Sequence, residues 1–549
     1  MLQEREAAVK SSVRMPSAYR DPLTWAIVFV VFGAYSVISV FRLLQLNPGS
    51  WDLAIFTELV KQYAHFHVPI VDARGAGTNL LGDHFSPAMA VFAPFFRVFP
   101  SAATLLVGQA LLTAVSIFPV AQAAREKLSP GPARAIALAY GFSWGLQQMI
   151  NFDVHEIALA VPLLAFTLSA VVRGRIVAAF WWALPLVFVK EDQGFTVAAI
   201  GVYLLISGVR TEPVDRVRVR AGQFLLVWGL AWSVLAITVI IPHFNAHHLY
   251  TYWDLGGALA PGQHASVLAL VRQLFYAWPV KLETVVLLLL PTAFLAVRSP
   301  LALIAVPSLA LRFESSNNAY WGTSWHYNAT VMPILFIAAI AALAGITAAR
   351  RGEESAHPDS DGLDGVGVLG GVGVLGGADG VSGVDGVDGV DGVDSVDGDD
   401  RPDRQGWASG RWGWWRATLA AAERHGAAMM IAIAVAMAFQ YPISGLWNGQ
   451  TYEISSHVAA ANAAMAKVPD GATVTTTLDL LASLAARTDA FWIGNQGNPR
   501  TEYIVYDGKD SGYPPGTSVP TLIAQFYPGH IYTQIFVDDG VYVFQRTAP

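Results

Sequence analysis

The chain has 549 residues, 54% of them hydrophobic and 14% charged, with a mean hydropathy of +0.43. A water-soluble domain of this length does not carry so much apolar sequence, so composition points to a membrane protein. The absence of cysteine excludes disulfides, thiolate metal sites and a cysteine nucleophile, and the formal charge of -7, part of it from one acidic segment, comes with no basic stripe that would suit nucleic acid.

Residues 1–22 carry several basic side chains and precede the apolar run 23–43, which no small-residue cleavage site follows, so a retained transmembrane helix is predicted. Further spans are expected near 102–124, 133–152, 155–172, 176–190, 192–208, 222–242, 282–297, 299–311, 329–349 and 426–443, about eleven in all. The run PAMAVFAPFFRVF at 87–99 is too short to cross and contains Pro94 and Arg97, so it predicts a re-entrant or interfacial helix. With the N-terminus in the cytoplasm, Arg125, Lys127 and Arg134, then Arg173 and Arg175, then Arg210, Arg216, Arg218 and Arg220, then Arg298, and finally Arg350 and Arg351 all fall in cytoplasmic segments. That is the asymmetry the positive-inside rule requires.

From Gly352 to Asp400 the sequence turns to GVGVLGG and VDG units without aromatic residues. Such a stretch cannot bury a core, and 350–425 is expected to be a flexible cytoplasmic linker; calcium-binding repeats have more glycine around each acid and a different period. Beyond the last span, residues 444–549 predict a small extracytoplasmic α/β domain: a helix over 454–466, a strand over 472–478, a helix over 478–487, then the β runs TEYIVYD, HIYTQIFV and GVYVFQR, with Asp538-Asp539-Gly540 as a hairpin turn.

This topology gathers six polar segments on the extracytoplasmic side: Asp52, GDHFSP at 82–87, NFDVHE at 151–156, KEDQG at 190–194, HFNAHHLYTYWD at 243–254 and RFESSNNAYWGTSWHYN at 312–328. Asp52 opens an amphipathic helix expected to lie on the outer membrane surface, where it either caps that helix or acts as a general base. Ser86 and Pro87 explain a helix start but leave Asp83 and His84 unexplained; such a pair is able to bind phosphate, hold a divalent metal such as Mg or Mn, or relay a proton. Asp153 and Glu156 have capping-box spacing, with His155 between them facing elsewhere. Lys190, Glu191 and Asp192 interrupt a nearly continuous apolar stretch, which is costly unless functional. Arg312 and Lys190 are the cations suited to a phosphate or diphosphate, with Glu314, His326, Tyr327, Trp321 and Trp325 nearby, where aromatic rings either stack on a sugar or form an interfacial belt.

The set WDLAIFTEL at 51–59, GDHFSP followed by PSAATLLVGQALL, DVHEIAL at 153–159, KED at 190–192 and HYNATVMPILFIAA at 326–339 resembles the DUF2079 predicted membrane proteins, placed among the GT-C glycosyltransferase-like integral membrane proteins. The resemblance covers roughly 23–349, with ATVTTTLDLLASLAAR similar to the family's C-terminal region, while the VDG linker departs from its pattern. It implies an α-helical polytopic GT-C-like membrane domain and transfer of a sugar from a polyprenyl-phosphate carrier to a cell-envelope acceptor. It also implies a catalytic carboxylate in the first external loop: Asp52, with Asp83 as the competitor. His84, His155, Glu156, Lys190, Glu191, Asp192, Arg312, His326 and Tyr327 are the expected substrate-binding residues. An ion-coupled transporter or flippase of envelope lipids, and a non-catalytic envelope scaffold, are the rival classes.

Overall fold

A computed structural model of the protein describes residues 17–252, 266–356, 425–509, 518–529 and 531–548. The chain divides into a large unit, Met1–Ala344 with His425–Pro549, and a second, Gly345–Arg424. Apart from its first residues, the expected linker lies outside the described residues.

Among the described residues three helices are long and apolar enough to cross a membrane by themselves: Pro22–Leu44, Ala102–Lys127 and Arg216–Phe244. The pair Val267–Phe275 and Trp278–Thr292, bent by 66°, makes a fourth if it forms one span. These correspond to the spans expected at 23–43, 102–124, 222–242 and, in part, 282–297. The other expected spans are shorter apolar helices, including Glu156–Val172, Ile176–Phe188, Gln193–Val209, Val331–Thr347 and His425–Ala438. The about eleven full-length spans of the sequence reading are therefore not seen among the described residues. Proline accounts for part of the shortening, because it removes a backbone donor and opens tight 3-10 turns. Pro185 lies in the 3-10 turn Leu184–Phe188, and Pro300 opens the 3-10 turn Pro300–Ala305 before the helix Val306–Glu314. The apolar run after Ser86 is short, as its sequence predicts: a 3-10 turn Pro87–Phe92 followed by the helix Ala93–Val98.

Close helix packing sets the register of the charged KED turn. The helices Gln193–Val209 and Arg216–Leu235 meet through facing glycines, the arrangement that lets backbones approach where no hydrophobic drive separates lipid from side chain. A Cβ on Gly229 would lie 2.2 Å from the Gly194 carbonyl oxygen, and one on Gly222 would lie 2.6 Å from the Leu205 nitrogen. At the end of this contact the Ser233 hydroxyl donates to the Glu191 carbonyl at 2.6 Å, fixing the turn that carries Lys190, Glu191 and Asp192.

The C-terminal domain is a five-stranded sheet of order β2-β1-β3-β5-β4, with β1 Thr473–Thr476, β2 Asp489–Trp492, β3 Tyr503–Asp507, β4 Ile531–Asp538 and β5 Val541–Ala548. β1 runs parallel to β2 and β3, and β5 antiparallel to β3 and β4. Every element expected here is present, with helices Ser456–Met465 and Leu478–Ala485. The sequence reading missed β2 and the helix Val519–Phe526. Asp539 and Gly540 turn the hairpin with φ of 41° and 85°, the left-handed pair that a two-residue turn between twisted strands demands.

This domain docks on the first polar loop. Gln45 donates to the carbonyls of Gln450 and Glu453 at 2.8 and 3.0 Å, Lys61 to that of Thr488 at 2.6 Å, and the Asn495 side chain to that of Ala73 at 3.1 Å. Trp51 meets Trp492 edge to face at 5.0 Å. As a result the helix Asp52–Ala64 is not a surface helix: Leu53 to Val60 and Ala64 are all buried within protein, where a membrane-surface position was expected.

Gly229→Ala should destabilise the detergent-solubilised protein by about 1–3 kcal/mol, because its methyl group meets rigid backbone. Gly33→Ala, whose Cβ meets nothing within 4 Å, should leave the unfolding midpoint unchanged or slightly raised, and differential scanning fluorimetry distinguishes the two.

Candidate active site

The six polar segments converge. Two cavities, of about 160 and about 120 Å³, share a wall made by His84, Lys190, Tyr252, Tyr320, His326 and Tyr327. The first is polar and is also lined by Trp51, Asp52, Arg74, Asp83 and His155. The second is lined by the charged Glu191, Asp192 and Arg312 together with the apolar Ile157, Phe195, Ile237 and Leu311.

Lys190 and His84 of the shared wall belong to a set of buried ion pairs. Lys190 Nζ is 2.8 Å from Glu156 Oε1, and His155 Nδ1 is 2.9 Å from Glu156 Oε2. The His155 ring stacks on His326 with centroids 3.5 Å apart, so His155 lies inside the cluster and does not face away from it. His84 Nδ1 lies 2.9 Å from Glu191 Oε1, which also accepts from the Tyr250 hydroxyl at 3.0 Å, while Glu191 Oε2 accepts from the Phe85 amide at 3.1 Å. Burial and the neighbouring Lys190 ammonium lower the His84 pKa, but the Glu191 and Asp83 carboxylates raise it more, leaving His84 above its ordinary value and favouring its cationic form.

The expected caps are not made. Asp52 is the first residue of its helix, after Trp51, and its amide donates to the Ser50 hydroxyl oxygen at 2.9 Å; its carboxylate forms no hydrogen bond or ion pair among the described residues. Burial pushes that carboxyl above its usual range, with His155, His84 and Lys190 opposing and Glu156 reinforcing the shift. Asp153 and Glu156 form no capping box either. Asp153 accepts from the Gly49 amide and so holds the loop leading to Asp52, and its carboxyl is pushed up to about 6 by burial, against the pull of Arg42. Gly49 is required there, since a Cβ would lie 2.8 Å from the Phe152 carbonyl oxygen.

Asp83 faces Arg74 through both oxygens, at 3.2 and 3.3 Å, and accepts from the Tyr252 hydroxyl at 3.1 Å. Arg74 also covers the Trp51 ring at 4.9 Å. Arg312 lines the second cavity, yet its guanidinium donates to the carbonyls of Tyr320, Tyr327 and Gly322 and to Asn328 Oδ1, at 2.9–3.3 Å, so it holds the loop that presents Tyr320, His326 and Tyr327. Asp192 lines the same cavity and accepts a 3.3 Å contact from the Gln193 side chain. Asp83 and His84, the residues expected for a divalent Mg or Mn ion, are instead paired with Arg74 and Glu191, and among the described residues no group of three His, Asp or Glu side chains is arranged to hold a metal ion.

Sequence reasoning missed Arg74, Glu58, Tyr250 and Tyr252. Arg74 sits in the same loop as Asp83, and the two tyrosines lie in a segment singled out only as polar. Glu58 is wholly buried, accepts from the Ala73 amide at 2.9 Å, and is pushed up to about 8 by burial, against Lys61 and its backbone hydrogen bonds.

A helical membrane protein with an enclosed, charge-balanced centre between two cavities is what this fold and site define. The chain belongs to the DUF2079 family of predicted membrane proteins, which it matches over residues 42–357. No curated protein matches it. Among solved structures it is similar to ArnT from Cupriavidus metallidurans bound to undecaprenyl phosphate, at 13% identity over 94% of this chain and 97% of that one with a TM-score of 0.49, and to the apo state of the same protein, at 14% identity over the same shares with a TM-score of 0.48.

Lys190→Met leaves Glu156 buried with only His155 as partner, so unfolding should cost roughly 3 kcal/mol less, and adding Glu156→Gln should recover part of the loss; a double-mutant cycle on thermal unfolding checks this. Glu58 provides a pH signature. Because its folded pKa is raised, its contribution is complete below its unfolded value and is lost as pH rises through about 8. The wild-type unfolding midpoint should therefore fall between about pH 5 and pH 8, and the fall should be shallower in Glu58→Gln.

Proposed function

We propose that the protein is a membrane glycosyltransferase that moves a sugar from a polyprenyl-phosphate carrier to a cell-envelope acceptor hydroxyl with inversion at the anomeric carbon. The observation that carries this reading is Asp52: a carboxylate on the wall of a polar cavity, without a hydrogen-bond partner among the described residues, beside a buried set of cations. Every neighbouring carboxylate has a partner, Asp83 in Arg74, Glu156 in Lys190 and Glu191 in His84. A base must be free to accept a proton, and its raised pKa moves it toward useful basicity.

In this reading the carrier's phosphate enters the second cavity, with its prenyl chain against the apolar Ile157, Phe195, Ile237 and Leu311. Lys190 and the His84 cation lie on the wall shared by both cavities, where they meet the phosphate and the negative charge that grows on it as the bond breaks. The acceptor hydroxyl lies in the first cavity. Asp52 takes its proton, the oxygen forms a bond to the anomeric carbon, and the carbon–oxygen bond to phosphate breaks, so that the electron pair leaves with polyprenyl phosphate. Arg312 acts as a positioning residue, holding the aromatic loop on the shared wall. The lipid carrier and its leaving group both stay in the membrane, and the C-terminal domain, docked on the loop that carries Asp52, borders the acceptor side. The orientation that goes with this is a multi-pass protein of the cell membrane with a cytoplasmic N-terminus and an extracytoplasmic C-terminal domain.

The charges lie at helix ends, with Glu156 opening its helix, Lys190 to Asp192 between helices and Arg312 in a last turn. An ion-coupled transporter would instead need them along the middle of spans. Membranes containing the wild type should consume a polyprenyl-phosphate sugar, and Asp52→Asn should lower turnover by about 10²–10⁴. Asp83→Asn should act mainly through the loop and lose less. Wild-type membranes that consume no such donor of any sugar type would end the transferase reading.

A further inference from the structure

The basic residues that orient the chain have a second use. Helix Ala160–Val172 begins beside the candidate active site and ends at Arg173, about 25 Å away at 1.5 Å per residue from Glu156. At that opposite end lies a cavity of about 370 Å³ lined by Lys127, Arg173, Tyr203 and Arg218, with Val171, Val172, Leu301, Ala341 and Ala344 completing its wall. The three cations come from three separate segments, and no acidic residue lines the cavity. Two carboxylates that do not line it pair with its arginines: Glu126 Oε1 with Arg173 Nη2 at 2.7 Å, and also with Arg175 at 3.9 Å, and Asp215 Oδ2 with Arg218 Nε at 3.6 Å.

Those pairs leave donors unused. Arg173 Nε is shielded from water without a hydrogen-bond acceptor, and Arg218 Nε has only the 3.6 Å approach of Asp215, beyond hydrogen-bond range; both side chains are largely covered, with 10% and 20% exposure. A buried guanidinium N–H without an acceptor is unfavourable, and the geometry is completed when an anion supplies one. Guanidinium forks select phosphate or carboxylate, and Lys127 adds a point charge at the exposed rim. The apolar side of the wall, formed by valine, leucine and alanine, matches an acyl chain next to such a headgroup.

We propose that this cavity binds a phosphate-bearing anion, a phospholipid headgroup at the membrane face opposite the candidate active site. Basic pockets between helices at a membrane face take anionic headgroups by this combination of charge and apolar wall. The site is independent of the transfer reaction proposed above, since none of its residues borders the two cavities around Lys190.

The test uses the full chain in a neutral detergent, titrated with short-chain phosphatidic acid, with phosphatidylcholine of the same chain length, or with inorganic phosphate, reading the thermal unfolding midpoint. Phosphatidic acid should raise the midpoint saturably, as a ligand of the folded state does, and phosphatidylcholine should not. If inorganic phosphate alone reproduces the shift, the anion site stands and a soluble phosphate is its source; a shift with the lipid only makes the headgroup the source. Lys127→Gln, at an exposed position, should keep the ligand-free midpoint, and Lys127→Gln with Arg218→Gln should weaken apparent affinity by about tenfold or more. No shift with either phosphate source, an equal shift with phosphatidylcholine, or unchanged affinity in the double variant would overturn the proposal.

Discussion

Lys190 and Glu156 meet at 2.8 Å where water is nearly excluded, and the polar centre is organised around keeping them paired. Glu156 has no exposed surface, so its ionised form persists only while Lys190 and His155 stand beside it. Each partner is in turn fixed by another element: His155 by the His326 ring, and the Lys190 turn by the Ser233 hydroxyl at the end of a glycine-lined helix contact. A change at any of these places exposes the same buried charge. His155 and Glu156 thus depend on Lys190, Ser233 and His326, which come from three other segments.

The same accounting separates Asp52 and Asp83, the two acids of the first polar loops. Asp83 already has two guanidinium contacts and a tyrosine hydroxyl, which favour its ionised form and occupy most of its acceptor sites. Its role is to tie Arg74, and through it Trp51, to the loop under the C-terminal domain. Asp52 has the opposite character, with its backbone supported by Ser50 and its carboxylate facing the cavity. Two carboxylates of similar sequence context are thus divided by whether a cation reaches them, and Arg74 is the residue that decides.

The convergence of six polar segments was legible because charge is costly beside apolar helices, and a sequence that keeps Lys190, Glu191 and Asp192 in such surroundings announces a site. The C-terminal strands were legible by alternation and by the Asp-Gly turn. The pairing within the site was not, because Asp153 and Glu156 have the spacing of a helix cap and nothing local shows that Gly49 and Lys190 reach them across a hundred and about thirty residues. Helix length failed for a related reason. Hydropathy averages over Leu184–Phe188 and Pro300–Ala305 without registering that their prolines convert α-helix to 3-10 turn. The amphipathic pattern of Asp52–Ala64 was read correctly as a helix, but its second face is covered by a domain more than four hundred residues later, which no local periodicity encodes.

That covering domain bears on how the site is controlled. Lys61 and Ala73, which anchor β2 and its neighbouring turn, follow Glu58 in the same segment, and the Glu58 carboxyl is buried against the Ala73 amide. The helix that begins with Asp52 is therefore clamped from both ends: by Asp153 through the Gly49 loop at its start, and by the C-terminal sheet along its length. A carboxylate on a surface helix would move with the membrane boundary. Enclosing that helix between the membrane domain and the sheet instead fixes Asp52 relative to Lys190 and His84, and the cost of burying Glu58 is the physical consequence of that enclosure.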